Sequence, residues 1–436
     1  MRAVRGAVEQ AGPAADVTAL ALDATSGTVL VEAADGTARG PALMYDDTRA
    51  AAQSARAQSA GASLWDQLGY RVQPAWALPK VLWLLENGAL GAGDRIVHQS
   101  DHLLRRLAGR PVATDTSHAP KTGVDTRSAA WPADVFADLG IPLSLLPEVV
   151  LPCTVIGVLG ADAAAATGLR AGTAIRAGMT DGCAAQIAAG ALRPGSWSSA
   201  LGTTLVLKGS TRDLVADRSG AVYCHRNPDG GWLPGGASSV GAGALRTAFP
   251  DADAAALARL TDRAAGLVPV ADVVYPLDGT GERFPFVAPE AAGFGLAGLS
   301  GPELFGAVCQ GIAYVERLAY DVLGLLGADV SGPVSLTGGA AANPWWNQLR
   351  ADVLGRPTVL PGSGQAAVGM AVLAAAPPGR LADTADAMVR WTSTSAPDAD
   401  RGAALEPGYR RLVAALADRG WLEPDLAAAV LARSRA

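Results

Sequence analysis

The feature that most constrains this chain is a strand that runs into a glycine pair and then into a helix. The sequence VSLTGGAAANPWWNQLRADVLGRPTVLP occupies residues 334–361. Its apolar start predicts a strand, Gly338 and Gly339 follow, and a helix is predicted to begin near Pro344. Glycines at such a junction let backbone approach a flat or anionic ligand, because no Cβ intervenes. The amides at the helix start point into the same space.

Polar and aromatic side chains accompany this junction. Asn343 offers a hydrogen-bond donor and an acceptor beside the predicted helix start, and Trp345 and Trp346 offer flat apolar surfaces. A glycine pair before a helix is also common where no ligand binds. The turn alone therefore fits a plain helix entrance equally well.

The composition excludes several classes of protein. A chain of 436 residues is long enough for two domains. Its net charge of −6 argues against a nucleic-acid partner. The first residues show no apolar core or cleavage site of a targeting sequence, and no apolar run is as long as a membrane span. We therefore expect a soluble, cytoplasmic protein without a membrane or nucleic-acid partner.

Cysteine and histidine show no spacing typical of a metal site or a disulfide framework. The four cysteines are scattered, which predicts small core residues in a reducing cytosol. His98 and His102 are four residues apart, but one isolated pair fits ordinary structure better than a ligand set. No metal-ligating residue is therefore predicted.

Hydrophobic patterns give a coarse outline of the elements. Apolar and β-branched runs at 17–22, 28–32 and 42–45 favour an antiparallel meander. Helices are predicted at 80–87, 102–107, 302–326, 364–376 and 409–418. The fourth of them is rich enough in small residues to pack close to another backbone. A composition break at Leu192-Arg193-Pro194-Gly195 predicts a domain boundary.

A carboxylate lies at a second predicted helix entrance, in the segment Gly178-Met179-Thr180-Asp181-Gly182. A carboxylate that backbone amides hold in an open position suits a general base. Aspartate is also a frequent N-cap residue. Taken alone, the N-cap interpretation of Asp181 fits better.

Two polar turns complete the candidate sites. Gly202-Thr203-Thr204 follows a predicted strand, where amides and hydroxyls hold phosphate oxygens or form a plain β-turn. Thr25 and Ser26 lie between apolar runs, where small hydroxyls bind a polyol or merely satisfy the turn. The sequence contains neither a GxxxxGK[ST] motif nor a GxSxG motif, so it predicts neither a P-loop enzyme nor a Ser/His/Asp hydrolase.

The order of these elements resembles that of the FGGY carbohydrate kinase family from about Val17 to the end of the chain. The segments that carry the resemblance are PALMYDDTRA (41–50), LPKVLWLLEN (78–87), SDHLLRRLAGRPVATDTSHAPKTGVD (100–125), GMTDGCAAQIAAGAL (178–192), ALGTTLVLKG (200–209), QGIAYVERLAYDVL (310–323) and TGGAAANPWWNQLRADVLGRP (337–357). Ala77 departs from the first signature, which prefers Pro, Ser or Thr there. DATSGTVLV (23–31) and YPLDGTGERFPF (275–286) look most like the ribulose and xylulose kinase branch.

The resemblance implies an α/β fold of two actin-like (ribonuclease H-like) domains, each a mixed sheet flanked by helices. Sugar and ATP would meet in the cleft between them. Residues 1–192 would form the N-terminal sugar-binding domain, and residues 193–436 the C-terminal nucleotide-binding domain.

The resemblance also assigns roles to the candidate residues. Asp181 would be the catalytic base and would contact the sugar, together with Thr25 and Ser26. The remaining residues would bind the nucleotide: Gly202, Thr203 and Thr204 at its phosphates, and Gly338, Gly339, Asn343 and Trp346 at its adenosine.

One departure from the family concerns the start of the chain. Full-length relatives begin with a strand and a glycine-rich turn of the kind GIDxGTxS, which holds phosphate and supplies a second, metal-directed aspartate. Residues 1–16 do not resemble it, so we expect a first domain that is incomplete at its start. Three explanations stand side by side: a recorded start too far downstream, a truncated copy with little activity, or a binding protein that no longer transfers phosphate.

The resemblance thus implies a kinase that uses ATP and Mg²⁺ to phosphorylate a terminal hydroxyl of a ketopentose or related polyol, of the D-ribulose or D-xylulose type. The alternative is a catalytically impaired sugar- or nucleotide-binding protein on the same fold. The particular sugar stays open, because Gly182 stands beside the base where some relatives have a longer polar residue. A homodimer is expected from family habit alone.

Overall fold

The computed structural model describes residues 1–12 and 16–433. The helices are α1 (Arg2–Ala11), α2 (Ser54–Ala60), α3 (Ala62–Leu68), α4 (Ala77–Glu86), α5 (Gln99–Ala108), α6 (Ala133–Asp138), α7 (Ala161–Thr167), α8 (Asp181–Ala188), α9 (Gly243–Ala248), α10 (Ala254–Ala264), α11 (Gly301–Leu325), α12 (Pro344–Leu354), α13 (Ala366–Ala375), α14 (Leu381–Met388), α15 (Ala399–Asp418) and α16 (Pro424–Arg433). Short 3₁₀ turns occupy Ala51–Gln53, Ala119–Thr122, Leu143–Leu145 and Gly339–Ala342.

The strands are distributed among these helices along the chain. They are β1 (Ala19–Leu20), β2 (Val29–Glu32), β3 (Arg95–His98), β4 (Thr114–Asp115), β5 (Val149–Val150), β6 (Val155–Val158), β7 (Ala174–Arg176), β8 (Trp197–Leu201), β9 (Leu205–Gly209), β10 (Tyr223–Arg226), β11 (Trp232–Ser238), β12 (Tyr275–Glu282), β13 (Ala288–Phe294), β14 (Val334–Thr337), β15 (Thr358–Pro361) and β16 (Trp391–Ser395).

The chain divides into two compact units, each assembled from separate segments. The first comprises Met1–Ala188, His225–Leu233 and Gln365–Met388, and the second Ala189–Cys224, Pro234–Gly364 and Val389–Ala436. The predicted boundary at residue 192 concerns the family domains and stays a prediction.

The first unit contains short sheets packed among helices. One sheet has the order β1-β7-β6, and the pairs β2-β3 and β4-β5 stand apart from it. The predicted meander is wrong for its first two runs, because β1 pairs in parallel with β7 and β2 pairs antiparallel with β3. The second and third runs do lie antiparallel at the bridge between Val29 and Leu43, whose amides and carbonyls exchange hydrogen bonds of 3.1 and 2.8 Å. All four residues of β2 are buried, so this strand needs partners from distant segments on both faces.

The first helix of this unit rests on its core. Val4 and Val8 pack against a cluster that includes Leu104, Leu159 and Ile175. α1 ends at Ala11. The amphipathic pattern of α1 is therefore used for packing.

The second unit is built on a mixed sheet, as the resemblance implies. The strands that lie wholly in this unit have the order β9-β8-β14-β15-β16. β14 lies between β8 and β15 and is parallel to both, whereas β9 and β16 pair antiparallel with their neighbours. In parallel pairs the carboxyl ends of the strands meet at one edge, so the loops that follow β8 and β14 lie side by side.

Several predicted helices are confirmed, and one differs in extent. α11 confirms the long helix, and α13 confirms the small-residue helix: a Cβ on Gly369 would lie 1.9 Å from the carbonyl oxygen of Ala184 on α8. α15 begins at Ala399 rather than near Tyr409 and contains Pro407. Asp398 caps this helix by accepting hydrogen bonds from two backbone amides, so tertiary packing and the cap outweigh the proline.

Two findings bear on the expectations from composition. Cys153, Cys183, Cys224 and Cys309 are all buried and free, as predicted. Among the described residues, no helix combines the length and the apolar character needed to cross a membrane.

Candidate active site

Asp181 is the first residue of α8 and is held by the backbone of a neighbouring segment. Its amide donates to the carbonyl oxygen of Ala24 at 3.1 Å, and Thr180 forms a parallel bridge with Ala24. The two backbone segments approach so closely that a Cβ on Gly178 would lie 1.9 Å from the carbonyl oxygen of Leu22. Position 178 therefore requires glycine because two backbone segments cross there, and not because α8 begins nearby.

The carboxylate of Asp181 is exposed, and its geometry is not that of an N-cap. Oδ1 accepts a hydrogen bond from the amide of the next residue, Gly182, at 2.7 Å. An N-cap side chain reaches amides two or three residues ahead; here the carbonyl of Thr180 opens the helix by accepting from Ala184 at 2.8 Å. Within residues 1–12 and 16–433, no hydrogen bond engages Oδ2. An open carboxylate oxygen is what a general base needs.

The predicted sugar turn follows Ala24 directly, so Thr25, Ser26 and Asp181 lie together in the first unit. Thr25 Oγ1 is 2.7 Å from Thr28 Oγ1 and donates to Gln99 Oε1 at 3.2 Å. Ser26 is half-buried, and its hydroxyl forms no hydrogen bond within the described part of the chain. Ser26 is thus the freer of the two hydroxyls, whereas Thr25 also holds the turn together.

A buried polar cluster lies beneath this arrangement. Ser117 Oγ accepts from the amide of Thr180 at 3.1 Å, and it lies 3.3 Å from Thr180 Oγ1 and 3.2 Å from His225 Nδ1. Next to it, His118 Nδ1 lies 2.7 Å from Asp115 Oδ2. Burial by itself lowers the pKa of His118, but the charge and hydrogen bond of Asp115 raise it to about 9. His118 is therefore a buried cation at neutral pH.

Ser117, His118 and His225 were not singled out from the sequence. The polar run Thr114-Asp115-Thr116-Ser117-His118 between apolar segments was visible, but nothing local shows that it lies under Thr180. The contact joins residues 63 positions apart in the chain.

In the second unit, the two predicted nucleotide loops lie against one another. Gly202, Thr203 and Thr204 form the turn of the β8–β9 hairpin, and the glycine pair begins where β14 ends. Because β14 pairs with β8, a Cβ on Gly338 would lie 2.5 Å from the carbonyl oxygen of Leu201. Gly338 also has a φ of 84°, which disfavours any side chain.

These loops line a cavity of about 800 Å³. Gly202, Thr203, Gly339, Asn343 and Trp346 contribute to its wall, whereas Thr204 and Gly338 do not line it. A Cβ at position 202 or 339 would meet no atom within 4 Å. Both glycines therefore leave the cavity open to a ligand.

Asn343 and Trp346 are fixed by the protein itself. Asn343 caps α12 by accepting from the amide of Trp346 at 3.1 Å, and its Nδ2 donates to Thr261 Oγ1 at 2.9 Å. Trp346 is buried and donates from Nε1 to the carbonyl oxygen of Cys309 at 3.2 Å. Both side chains thus form a fixed end of the cavity, and their hydrogen-bonding groups are already engaged within the protein.

One further cavity residue was missed by sequence reasoning. Arg246 on α9 donates from Nη2 to Thr203 Oγ1 at 2.8 Å. It reaches the loop because Ala242 and Gly243 donate backbone hydrogen bonds to the carbonyls of Gly202 and Thr203 at 2.9 and 3.1 Å. Arg246 places a permanent positive charge beside the predicted phosphate loop. The only local signal was the glycine-rich Gly241-Ala242-Gly243 before it.

No group of three or more His, Cys, Asp or Glu side chains within the described residues is arranged to hold a metal ion. Mg²⁺ usually binds through one or two carboxylates, substrate phosphates and water. The residues present therefore fit a magnesium ion that would bind together with the phosphates of ATP.

Comparison with known proteins identifies the class to which this fold and these sites belong. Residues 1–188 match the N-terminal domain, and residues 198–377 the C-terminal domain, of the FGGY family of carbohydrate kinases. The chain belongs to this family and is a carbohydrate kinase of the actin-like two-domain fold.

Individual relatives differ in the substrates that their names give. The chain is 30% identical over 407 residues to a xylulose kinase of Streptomyces coelicolor, covering 89% of this chain and 80% of the relative. It is 29% identical over 431 residues to a glycerol kinase of Methylibium petroleiphilum, covering 89% and 82%. The solved xylulose kinase of Rhodospirillum rubrum superposes with a TM-score of 0.82 at 24% identity, over 95% of this chain and 87% of that one.

Proposed function

We propose that the chain transfers the γ-phosphoryl group of ATP to a terminal hydroxyl of a ketopentose or a related polyol. The observation that carries this proposal is the backbone link between Ala24 and Asp181. It sets an open carboxylate directly beside the turn that bears Thr25 and Ser26. A base and a hydroxyl-binding turn that a backbone hydrogen bond holds side by side suit activation of a polyol.

In this proposal, Asp181 accepts the proton of the terminal hydroxyl as that oxygen attacks the γ-phosphorus. The bond from the γ-phosphorus to the bridging oxygen breaks, and ADP leaves with the electron pair of that bond. Ser26 offers its unengaged hydroxyl to the acceptor, while Thr25 fixes the turn. Positioning and charge stabilisation supply most of the acceleration in such reactions.

The cavity of the second unit is the proposed nucleotide site. Its volume of about 800 Å³ lies in the range of small-molecule sites. Gly202 and Gly339 leave room for close approach of the nucleotide, and Thr203 with Arg246 offers a hydroxyl and a positive charge to phosphate oxygens. Magnesium would arrive on the ATP phosphates.

The acceptor is the less constrained part of the proposal. Relatives named for xylulose and for glycerol are similar to the chain to nearly the same extent. The ketopentose is favoured by the resemblance of 23–31 and 275–286 to the ribulose and xylulose kinase branch. The predicted homodimer and the cytoplasmic location stay predictions.

The experiment is a measurement of ADP release with MgATP and a panel of D-ribulose, D-xylulose, ribitol and glycerol. We expect sugar-dependent turnover, and a loss of about 10²- to 10⁴-fold in Asp181→Asn, the usual contribution of a general base. Asp181 is exposed, so this variant should retain the stability of the parent. Asp162→Asn, an exposed aspartate on α7, is the matched control.

The alternative is a protein that binds sugar or nucleotide without transferring phosphate. Calorimetric titration with ATP and with each sugar distinguishes the two. Binding without turnover in folded protein supports the alternative, and full activity in Asp181→Asn contradicts the assigned base.

A further inference from the structure

The lysines of this chain are few and unevenly placed. The basic residues are almost all arginine, and Lys80, Lys121 and Lys208 are the only lysines. Two of the three donate hydrogen bonds to successive carbonyls of the same turn, the one that carries Thr25 and Ser26. Lys80 Nζ is 3.1 Å from the carbonyl oxygen of Gly27, and Lys121 Nζ is 3.2 Å from that of Ser26.

Lys80 is an unusual group to find in this position. Its side chain lies on the buried helix α4, with 0% of the residue exposed, and Nζ also donates to the carbonyl oxygen of Met44 at 2.5 Å. Burying an ion such as an ammonium group costs on the order of several kcal/mol unless other groups compensate. An apolar residue would fill the same space at a lower cost, so packing alone does not explain the lysine.

The charges around Lys80 come from two segments. Asp46 and Asp47 favour its charged form, whereas Lys121 and Arg49 oppose it. Burial has the largest effect and lowers the pKa of Lys80 to about 8. The ammonium form that holds the carbonyls therefore predominates at neutral pH and is lost in the mildly alkaline range.

Lys121 crosses the same turn at Gly27. Its Cδ would lie 2.9 Å from a Cβ on Gly27, whose φ is 88°. Glycine at 27 thus lets the lysine stem pass over the turn and reach the carbonyl of Ser26. The two lysines and the amide of Asp181 together bind the carbonyl oxygens of three residues of one segment: Ala24, Ser26 and Gly27.

We propose that Lys80 and Lys121 are positioning residues for the phosphoryl acceptor, which hold the Ser26 and Gly27 carbonyls so that the hydroxyls of the turn keep a fixed distance from Asp181. The inference rests on the proposed function, because it assigns the turn to the acceptor. Neither lysine contacts the reacting atoms.

The test compares Lys80→Met, Lys80→Arg and Lys121→Met with the parent for the KM of the sugar, the KM of ATP and kcat at pH 7. Hydrogen bonds from charged donors contribute enough for a rise of about tenfold or more in the sugar KM of Lys80→Met and Lys121→Met. The KM of ATP should stay within about twofold, since the nucleotide cavity belongs to the other unit. Arg110→Met removes another cation that donates to a backbone carbonyl of the first unit, and should change neither KM.

A pH profile separates positioning from a purely structural role. The sugar KM of the parent should rise from pH 7 to pH 9 as Lys80 loses its proton, and Lys80→Arg should flatten this rise because arginine stays charged. Equal changes in both KM values, or unchanged sugar KM in Lys80→Met and Lys121→Met, overturn the inference. If Lys80→Met does not fold, Lys121→Met, at a half-exposed residue, and the conservative Lys80→Arg still test the positioning role.

Failure of the proposed function has a different signature. If the parent shows no turnover, calorimetric titration with the same sugars replaces the kinetic assay. Weaker sugar binding in the lysine variants then supports the positioning role even without phosphoryl transfer. Sugar binding that is equal in parent and variants overturns it.

Discussion

The amide of Asp181 and the carbonyl oxygen of Ala24 are joined by a hydrogen bond of 3.1 Å. This bond ties the start of α8 to the residue just before the polar turn of Thr25 and Ser26. A backbone bond of this kind is independent of side-chain rotamers, so the fold itself sets the spacing of the two backbone segments that carry the carboxylate and the turn hydroxyls.

Ser117→Ala tests the support beneath this link. The serine hydroxyl accepts from the buried amide of Thr180, and removing it leaves that donor unpaired, at a cost of about 1–3 kcal/mol. We expect the free energy of unfolding, measured in urea, to fall by that amount. We also expect kcat to fall, while the KM of ATP changes less. Ser128→Ala, at an exposed serine of the same unit, is the control. An unchanged midpoint contradicts the role.

The buried pair of His118 and Asp115 predicts a pH dependence of stability. The pKa of His118 in the folded protein is raised to about 9 from the ordinary 6.5. The stabilisation is therefore complete below about pH 6.5 and disappears as the pH rises through 9. Its size is on the order of a few kcal/mol.

The measurement is urea unfolding between pH 6 and pH 9.5 for the parent and His118→Asn. Lys80 titrates near pH 8 and affects stability in the opposite direction, so the difference between the two proteins is the relevant quantity. That difference should shrink steadily above pH 6.5. A constant difference over this range contradicts a charged His118.

Gly338 and Gly339 should respond differently to alanine. In Gly338→Ala the new Cβ meets the carbonyl oxygen of Leu201 at 2.5 Å in a left-handed backbone, which should lower the free energy of unfolding by about 2 kcal/mol or more. In Gly339→Ala the Cβ meets nothing, so stability should hold while ATP affinity falls. Calorimetry with ATP and thermal unfolding measure the two effects. Unchanged ATP affinity in Gly339→Ala places the nucleotide elsewhere.

A buried ion pair fixes the helices behind the nucleotide cavity. Arg350 donates from Nε and Nη2 to the two oxygens of Glu316 at 2.7 and 2.8 Å, and from Nη2 to Ser199 Oγ at 2.7 Å. Both charged side chains are fully buried. Arg350→Met should destabilise the protein by about 3–5 kcal/mol, because Glu316 is left buried and unpaired.

The double variant Arg350→Met with Glu316→Leu supplies the comparison. Removing both charges should restore much of the lost stability, which chemical unfolding of all four proteins in the cycle measures. Additive losses in the double variant would show that the two side chains do not act as a pair.

Local signals in the sequence identified the elements that carry the candidate site. The helix from Gly301 to Leu325 and the small-residue helix at 366–375 were correctly predicted, because their patterns extend over many residues. The ordered motifs identified the carbohydrate kinase family, which the family match confirms. The roles of Asp181, the phosphate-loop segment and the glycine pair remain predictions that the experiments above test.

Such local signals do not identify the pairing partners of a strand when those partners are distant in the chain. The first three apolar runs look like a meander, yet β1 and β2 pair with β7 and β3 because tertiary burial selects the partner. α15 runs through Pro407, which local propensity would exclude.

By itself the sequence determined where strands, turns and helices supply glycines, hydroxyls and carboxylates, since those properties depend on near neighbours and on residue type. Only the tertiary structure decided which of them meet. Ala24 pairs with Thr180, Ser117 accepts a hydrogen bond from the amide of Thr180, and two lysines donate to the Ser26 and Gly27 carbonyls. These contacts join segments far apart in the chain, and they form because the backbones are packed close enough for polar groups to bond.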